Sequence, residues 1–509
     1  MDTDSLHAAT HIASDFVSLG YGSPEVSRRG GQGGPLVYAV LLLAAVLLTL
    51  SLWAAPASSA TTASKALRFV VVKRSTTHTV VKRGSVRLVV RLSSRFASVH
   101  GVPRYRVIRR ARTYWQLMPV VSVVAHGATL DGRTDDTAAI ARAMLAAAGA
   151  GKGVYLPAGT CRVSSLTVPT GLAVFGAGMD RAWLKGHLAF GSNELISDLK
   201  IGDAGQSAVR NKAGASGTVF RRVHFRGGGG AGWNAPVIML GGGGSCSNIT
   251  FKDCEVERNV GIEDSSFNRG YNDITIDEFT NNHVSDITFD GCHVGVTNGV
   301  ATGSPRMGLE CWAAHGSGIG WHNITVRGCV FEATAIHQLD FSCYGDSGQA
   351  TGVMVEDCTF KGGGLDVKGA LWGYAICLEW PFDVTIRNNH FHRCHEAAIF
   401  DNNYGQSHDT RWRITGNTFD WDTTGGGITA RRGIVVISGA NNIITGNRFD
   451  WHGVFSGWAT NGCVELGGAN ATGNTVTGNT FHISQMQAVS NQWGGATGNT
   501  TSPNTVTRQ

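Results

Sequence analysis

A short phrase recurs, altered, down the second half of the chain. It reads Asn248-Ile249-Thr250-Phe251-Lys252-Asp253-Cys254, then Asp286-Ile287-Thr288-Phe289-Asp290-Gly291-Cys292, then Asn323-Ile324-Thr325-Val326-Arg327-Gly328-Cys329. Copies closing on Cys358, Asn389, Asn417, Asn447 and Asn479 follow, at steps of 38, 37, 29, 31, 28, 30 and 32 residues counted from Cys254. A period of this size means a repeat architecture. Each phrase alternates apolar and polar residues and closes on Gly, Asn or Cys, so it is a strand running into a turn. One short strand cannot bury its own apolar side, but stacked copies share a continuous core. The spacing leaves room for two or three short strands per copy. The expected fold is therefore all-β, a single-stranded parallel β-helix, in which like residues stack into ladders.

Composition enters where it bears on that fold. Glycine, at 69 of 509 residues, is about twice its usual share of roughly 7%. The net charge of +6 joins two unlike parts: residues 1–130 hold 16 basic and 4 acidic residues, residues 131–509 hold 27 and 33. The repeat region is thus mildly acidic at −6.

Four segments are expected. Residues 1–35 are polar, Gly/Ser-rich and read as a disordered tail. Residues 36–55 are almost wholly apolar and long enough to span a bilayer of roughly 30 Å, a transmembrane anchor with a cleaved signal peptide as its rival. Arg28 and Arg29 before it suit a cytoplasmic N-terminus and an extracellular repeat domain, although Lys65, Arg68, Lys73 and Arg74 pull the other way; secretion is the alternative. Residues 56–120 form a basic stalk or small β module, with 14 Lys and Arg between 65 and 112, suited to an anionic cell-surface polymer. Its aromatic interleaving is thin (Phe69, Phe96, Tyr105), which gives no support for nucleic acid. Residues 121–505 are the β-helix domain.

The stretch Val123-Val124-Ala125-His126-Gly127-Ala128-Thr129-Leu130-Asp131-Gly132-Arg133-Thr134-Asp135-Asp136-Thr137-Ala138-Ala139-Ile140, continued by Gly153-Val154-Tyr155-Leu156-Pro157-Ala158-Gly159-Thr160-Cys161-Arg162-Val163, resembles the opening of the pectate-lyase superfamily, in its rhamnogalacturonase/epimerase-like group. The resemblance is specific over about residues 120–185. It implies a right-handed parallel β-helix, secreted or surface-exposed, acting on acidic or pectin-like polysaccharides. The hydrolase signatures Asn-Thr-Asp and Arg-Ile-Lys of that group find no match here. Physically, the stretch reads as a short capping helix, with Thr134 as its cap, Asp135 and Asp136 in its first turn, and Ile140, Met144 and Leu145 on its apolar face. Such a helix would cover the open strand edges of the first coil.

Eleven cysteines lack C-x-x-C spacing, and four of them are repeat-equivalent, so a ladder of free buried thiols is expected.

A second alignment points to chemistry. Ile262-Glu263, Leu309-Glu310, Leu339-Asp340, Leu378-Glu379 and Phe400-Asp401 each place a carboxylate after an apolar residue, so alternation turns the acids outward. Stacked coils would set them about 4.8 Å apart. Such close like charges repel, raise one another's pKa or require a cation. Glu310, Asp340, Glu379 and Asp401 are the candidate catalytic acids. Trp312, Tyr344, Trp380 and Tyr404 are candidate sugar platforms, beside Trp372 and Tyr374. His315, His337, His395 and His408 are candidate proton carriers, and Arg306, Lys368, Arg393 and Arg411 candidate bases or clamps. A glycoside hydrolase would use a pair of the acids. A polysaccharide lyase would use Glu310, Asp340 and Glu379 to hold Ca²⁺. A third reading is a non-catalytic glycan-binding surface protein.

Overall fold

The computed structural model describes residues 66–508, leaving out 100–101, 111, 203–204, 228–235, 258–261, 265–268, 271, 277–281, 297–306, 314–319, 333–335, 344–349, 363–372, 395–396, 402–407, 423–431, 453–461, 484–486 and 494–495. The expected tail and anchor, residues 1–35 and 36–55, lie outside the described residues. Among those described, no helix is long and apolar enough to cross a membrane.

The chain from 67 to 122 forms six antiparallel strands: β1 (Leu67–Arg74), β2 (His78–Arg83), β3 (Val86–Arg91), β4 (Phe96–Val99), β5 (Val102–Arg110) and β6 (Tyr114–Ser122). They pair in the order β3-β2-β1-β6-β5-β4. Phe69, Val81, Leu88, Val90, Ala97 and Leu117 make a small core of their own. The far end of β6, Val120–Ser122, pairs in parallel with Gly153–Tyr155, so the sheet runs directly into the first coil. A buried carboxylate fastens the junction. Asp198 is fully buried and ion-paired to Arg95, Arg106 and Arg222. Arg106 lies over the rings of Phe96 and Phe175, and burial, opposed by Asp198, lowers its pKa to about 10.

The helix α1 (Thr137–Gly149) covers the first coil as expected, but its cap differs. Asp136, not Thr134, is the N-cap residue, and its carboxylate turns back to accept from the N–H groups of Thr129 and Leu130. Thr134 instead donates its hydroxyl to Asp131. The buried face is Ala139, Ile140, Ala143, Met144 and Ala147, while Leu145 is 67% exposed. One residue beyond Met144 is a turn of about 100°, enough to carry Leu145 off the apolar stripe.

From Cys246 onward each coil carries three strands. In one coil these are Trp321–Arg327, Val330–Phe331 and His337–Cys343; in the next, Met354–Glu356, Thr359–Lys361 and Tyr374–Glu379. Each pairs in parallel with its counterpart one coil on. The recurring phrase is explained by two left-handed backbone positions. Asn248, Asp286, Asn323 and Asp383 open it at φ of 53° to 57°, and Asp253, Gly291, Gly328, Asp357, Asn388 and Gly416 bend its end at φ of 51° to 66°. Asn, Asp and Gly are the residues that tolerate this region.

The closing residues form one ladder with two chemistries. The Cys329 thiol accepts from the Cys292 N–H at 3.3 Å and donates to the Phe289 carbonyl at 3.6 Å. The Asn417 amide accepts from the Asn389 N–H and donates to the Ile386 carbonyl, both at 2.9 Å. Sulfhydryl and carboxamide thus do the same two jobs on successive coils. The ten cysteines whose side chains are described are buried, and no two of them form a disulfide. Phe331, Phe360, Phe391, Phe419, Phe449 and Phe481 stack through the interior at 4.6 to 5.3 Å. The core runs unbroken from Val123 to Ile483.

Candidate functional site

The third strand of each coil carries the candidate acids. Its inward row is Ile274, Leu309, Leu339, Ile376, Ile399, Ile434 and Val464, joined strand to strand. Alternation then fixes an outward row: Thr275, Glu310, Asp340, Cys377, Phe400, Val435 and Glu465. Glu310 and Asp340 are direct register partners. A second outward row, two positions further along, is Trp312, Ser342 and Glu379. Glycine is required at the start of this strand, because a Cβ on Gly308 would stand 2.7 Å from the Gln338 carbonyl oxygen.

This corrects the expected five-acid ladder. Glu379 lies outward, but beside Ser342 rather than Asp340. The place expected for it is held by Cys377, whose thiol is pushed well above its usual pKa by burial and by the neighbouring Asp340, Glu379 and Asp401 carboxylates. Asp401 is a partner of Leu378 in the inward set. Its Oδ2 accepts from the N–H groups of Ile437, Ser438 and Gly439, each at 3.0 Å, so it shapes the turn of the next coil. Glu263 is on a strand, Ile262–Asp264, that pairs antiparallel with Arg269–Gly270, outside the coil stack.

The acids are not the solvated face that outward placement would suggest. Glu310 is 5% exposed, Asp340 4%, Glu379 8% and Asp401 0%. Polar neighbours meet them. The Asn272 amide donates to Glu310 Oε2 and, at 3.2 Å, to the Thr275 hydroxyl, and the Ser342 hydroxyl donates to Asp340 Oδ1 at 2.6 Å. On the other flank, His337 stacks on Tyr374 at 4.9 Å, and Tyr374 on Phe400 at 4.1 Å.

The structure therefore brings Glu310, Asp340, Glu379, Trp312, His337 and Tyr374 onto one face. Trp312 and Trp380 are half-buried, Trp380 following Glu379 at the strand end with a φ of 66°. Tyr344, Tyr404, Trp372, His315, His395, Arg306 and Lys368 lie outside the described residues, as does the side chain of His408. Arg393 follows the second strand of its coil, and Arg411, ion-paired to Asp383, precedes a first strand; neither is on the acidic rows. Asn272, Thr275, Ser342 and Cys377 were not singled out from the sequence. Ser342 had a signal, lying two residues from Asp340 on the same side of a strand. The others had none, since they are uncharged and the alignment was made on the acids.

The carboxylates are oxygen donors of the kind a hard cation takes, but Glu310, Asp340 and Glu379 are spread over three coils, and among the described residues the ligand atoms that converge to within 4.8 Å belong to His390, His392 and Asp420 instead.

Residues 120–342 match the family model described as rhamnogalacturonase A/epimerase, pectate lyase-like, and residues 317–505 match one described as a protein of unknown function (DUF1565). Glu310 and Asp340 fall within the first match. No curated protein matches the sequence. Solved structures similar to this chain include the tailspike protein gp49 from Acinetobacter baumannii bacteriophage Fri1, a capsular polysaccharide depolymerase (14% identity, 84% of this chain and 73% of that one, TM-score 0.48). PfbA, a surface adhesin of Streptococcus pneumoniae, is similar at 15% identity over 71% of this chain and 85% of its own, with a TM-score of 0.47. The A-module of the Azotobacter vinelandii mannuronan C-5 epimerase AlgE4 is similar at 16% identity over 76% and 99%, with a TM-score of 0.41. With its stacked parallel coils, its capping helix and the family match over its opening, the repeat domain is a pectate-lyase-like parallel β-helix.

Proposed function

We propose that this β-helix is a polysaccharide-active enzyme, a glycoside hydrolase acting on uronate-containing or pectin-like glycans. The observation that carries the reading is the buried register pair Glu310–Asp340, with Glu379 beside it on the next coil. Burying like charges side by side is costly, and a fold tolerates it where one carboxyl keeps a proton or a cation intervenes. A protonated acid beside an ionised one is what glycosidic cleavage needs: the acid protonates the leaving oxygen, and its partner activates water or attacks the sugar.

The geometry offers both stereochemical courses. One coil of about 4.8 Å separates Glu310 from Asp340, near the roughly 5 Å of a retaining pair. Asp340 and Glu379 differ by one coil and two strand positions, about 8 Å on the diagonal, within the inverting range. None of the side chains described on these rows is Lys or Arg, which favours carboxyl chemistry over proton abstraction by a basic residue. Trp312, two positions along the same strand from Glu310, would supply an apolar face for a sugar ring. A domain carrying −6 repels a uronate unless a cation such as Ca²⁺ bridges the two.

A panel of acidic and neutral polysaccharides tests the reading. New reducing ends without ultraviolet absorbance support hydrolysis. Unsaturated uronate absorbance would replace it with elimination, and binding without either product would replace it with an adhesive role.

The apolar run at 36–55 supports tethering to a membrane with the β-helix outside, and the basic β1–β6 sheet supports contact with an anionic surface polymer. N-terminal sequencing of the mature protein should find the apolar run intact. A start at or near Thr61 would mean a cleaved, secreted product.

A further inference from the structure

The second strands of the coils carry a separate polar row. His390 and His392 lie two apart on one strand, so both imidazoles leave its outer face while Phe391 between them is buried. Their ring centroids are 6.0 Å apart. In the next coil Asp420 is the register partner of His392, and its Oδ2 lies 3.3 Å from His392 Nδ1 and 3.9 Å from His390 Nε2. One ligand atom from each of the three residues falls within 4.8 Å of the others.

These distances bear on a metal. Tetrahedral zinc with bonds of about 2.0–2.2 Å holds its ligand atoms roughly 3.4 Å apart. Two of the three edges already approach that value. Two imidazoles and one carboxylate are also a donor set of the zinc class, unlike the oxygen-only set around Glu310. An exposed His–Asp ion pair would account for two of the residues, but not for the second imidazole converging on the same oxygen.

The next coil supplies a contrast. Asp450, register partner of Asp420, is paired with Arg448 at 2.6 Å and His482 at 2.9 Å. The ion pairs described for Asp420 are with the two imidazoles alone. The three side chains are 46%, 38% and 33% exposed, so an ion can reach them from solvent and keep a position open to water.

We propose that His390, His392 and Asp420 form a surface site for a divalent transition-metal ion of the zinc class. The site is independent of the carboxylate rows.

Calorimetric titration of the metal-stripped full chain with Zn²⁺ tests this, with Ca²⁺ as the control ion. The wild type should bind one more equivalent than His392→Gln or Asp420→Asn. Its affinity at that site should be at least about 100-fold higher, since even outer partners of metal ligands contribute roughly 10–100-fold. His390→Ala should match these variants, and His482→Gln should bind as the wild type does. Circular dichroism confirms that each variant is folded. Identical zinc isotherms for the wild type and all three ligand variants would overturn the proposal, as would equal competition by Ca²⁺.

Discussion

Glu310 and Asp340 face each other in register across neighbouring coils, on the outer side of the sheet, and both are more than nine-tenths buried. Asn272 holds the first and Ser342 the second. Their closeness predicts a stability effect opposite to the usual one for a buried polar residue. Asp340→Asn keeps the acceptor for Ser342 and removes the cost of burying two carboxyls side by side, whether that cost is met as repulsion or by holding a proton. Its melting temperature at neutral pH should equal or exceed that of the wild type, by the equivalent of about 1 kcal/mol. A drop of several degrees would show that no such cost is being relieved.

Asp198 should be far less tolerant. It is fully buried among Arg95, Arg106 and Arg222, and losing its charge leaves the buried Arg106 uncompensated. Asp198→Asn should cost about 3–5 kcal/mol, the scale for breaking a buried pair. Limited proteolysis should then cut between the β1–β6 sheet and the first coils before the rest of the chain. Unchanged proteolysis would mean that the apolar contacts of Met118, Val120, Tyr155 and Phe175 suffice.

Glu194 gives a pH dependence. Burial raises its pKa from 4.5 to about 8, against the Gly191 N–H and Lys212, which lower it. Between those values the folded chain holds a proton that the unfolded chain releases, so stability falls as pH rises from 4.5 to about 8. The full span is on the order of 4 kcal/mol. Glu194→Gln should remove this slope. Chemical unfolding at pH 5 and pH 8 should show the variant gaining on the wild type at the higher pH, and a constant difference would contradict the assignment.

The closing ladder predicts an exchange. Asn417→Ala removes the described acceptor of the buried Asn389 N–H and the amide's bond to the Ile386 carbonyl, and should cost about 2–4 kcal/mol. Asn417→Cys should cost less, because Cys329 makes the same two contacts in an earlier coil. Equal losses, measured by denaturant unfolding, would show that the thiol is only a filler. Reductant should leave the strand signal in circular dichroism unchanged, since no two of the described thiols form a disulfide.

The repeat was legible because its turns need left-handed residues, and Asn, Asp and Gly mark those positions in the phrase. The site was only partly legible, for a reason of register. Glu310 and Asp340 align correctly because their strands are similar in length and position. Glu379 was aligned two residues out, which keeps a side chain on the same face, so it still belongs to the site. Asp401 was aligned one residue out, and a slip of one turns a side chain to the other face. Nothing local in Ile399-Phe400-Asp401 reveals that difference, because the segments joining the third strands vary in length. Leu145 failed differently: an Ala-rich helix has many small residues able to face the core, so the larger side chain need not.

The most direct test of the carboxylate site is turnover of Glu310→Gln, Asp340→Asn and Glu379→Gln on whichever polysaccharide the wild type cleaves, with folding checked on the same samples. Glu310→Gln and Asp340→Asn should lose roughly 10²-fold or more in kcat while remaining folded, the scale of general acid–base catalysis. Glu379→Gln should fall comparably if the diagonal pair is the one used. Wild-type turnover in all three variants would contradict the account and leave the rows a structural feature of the coil.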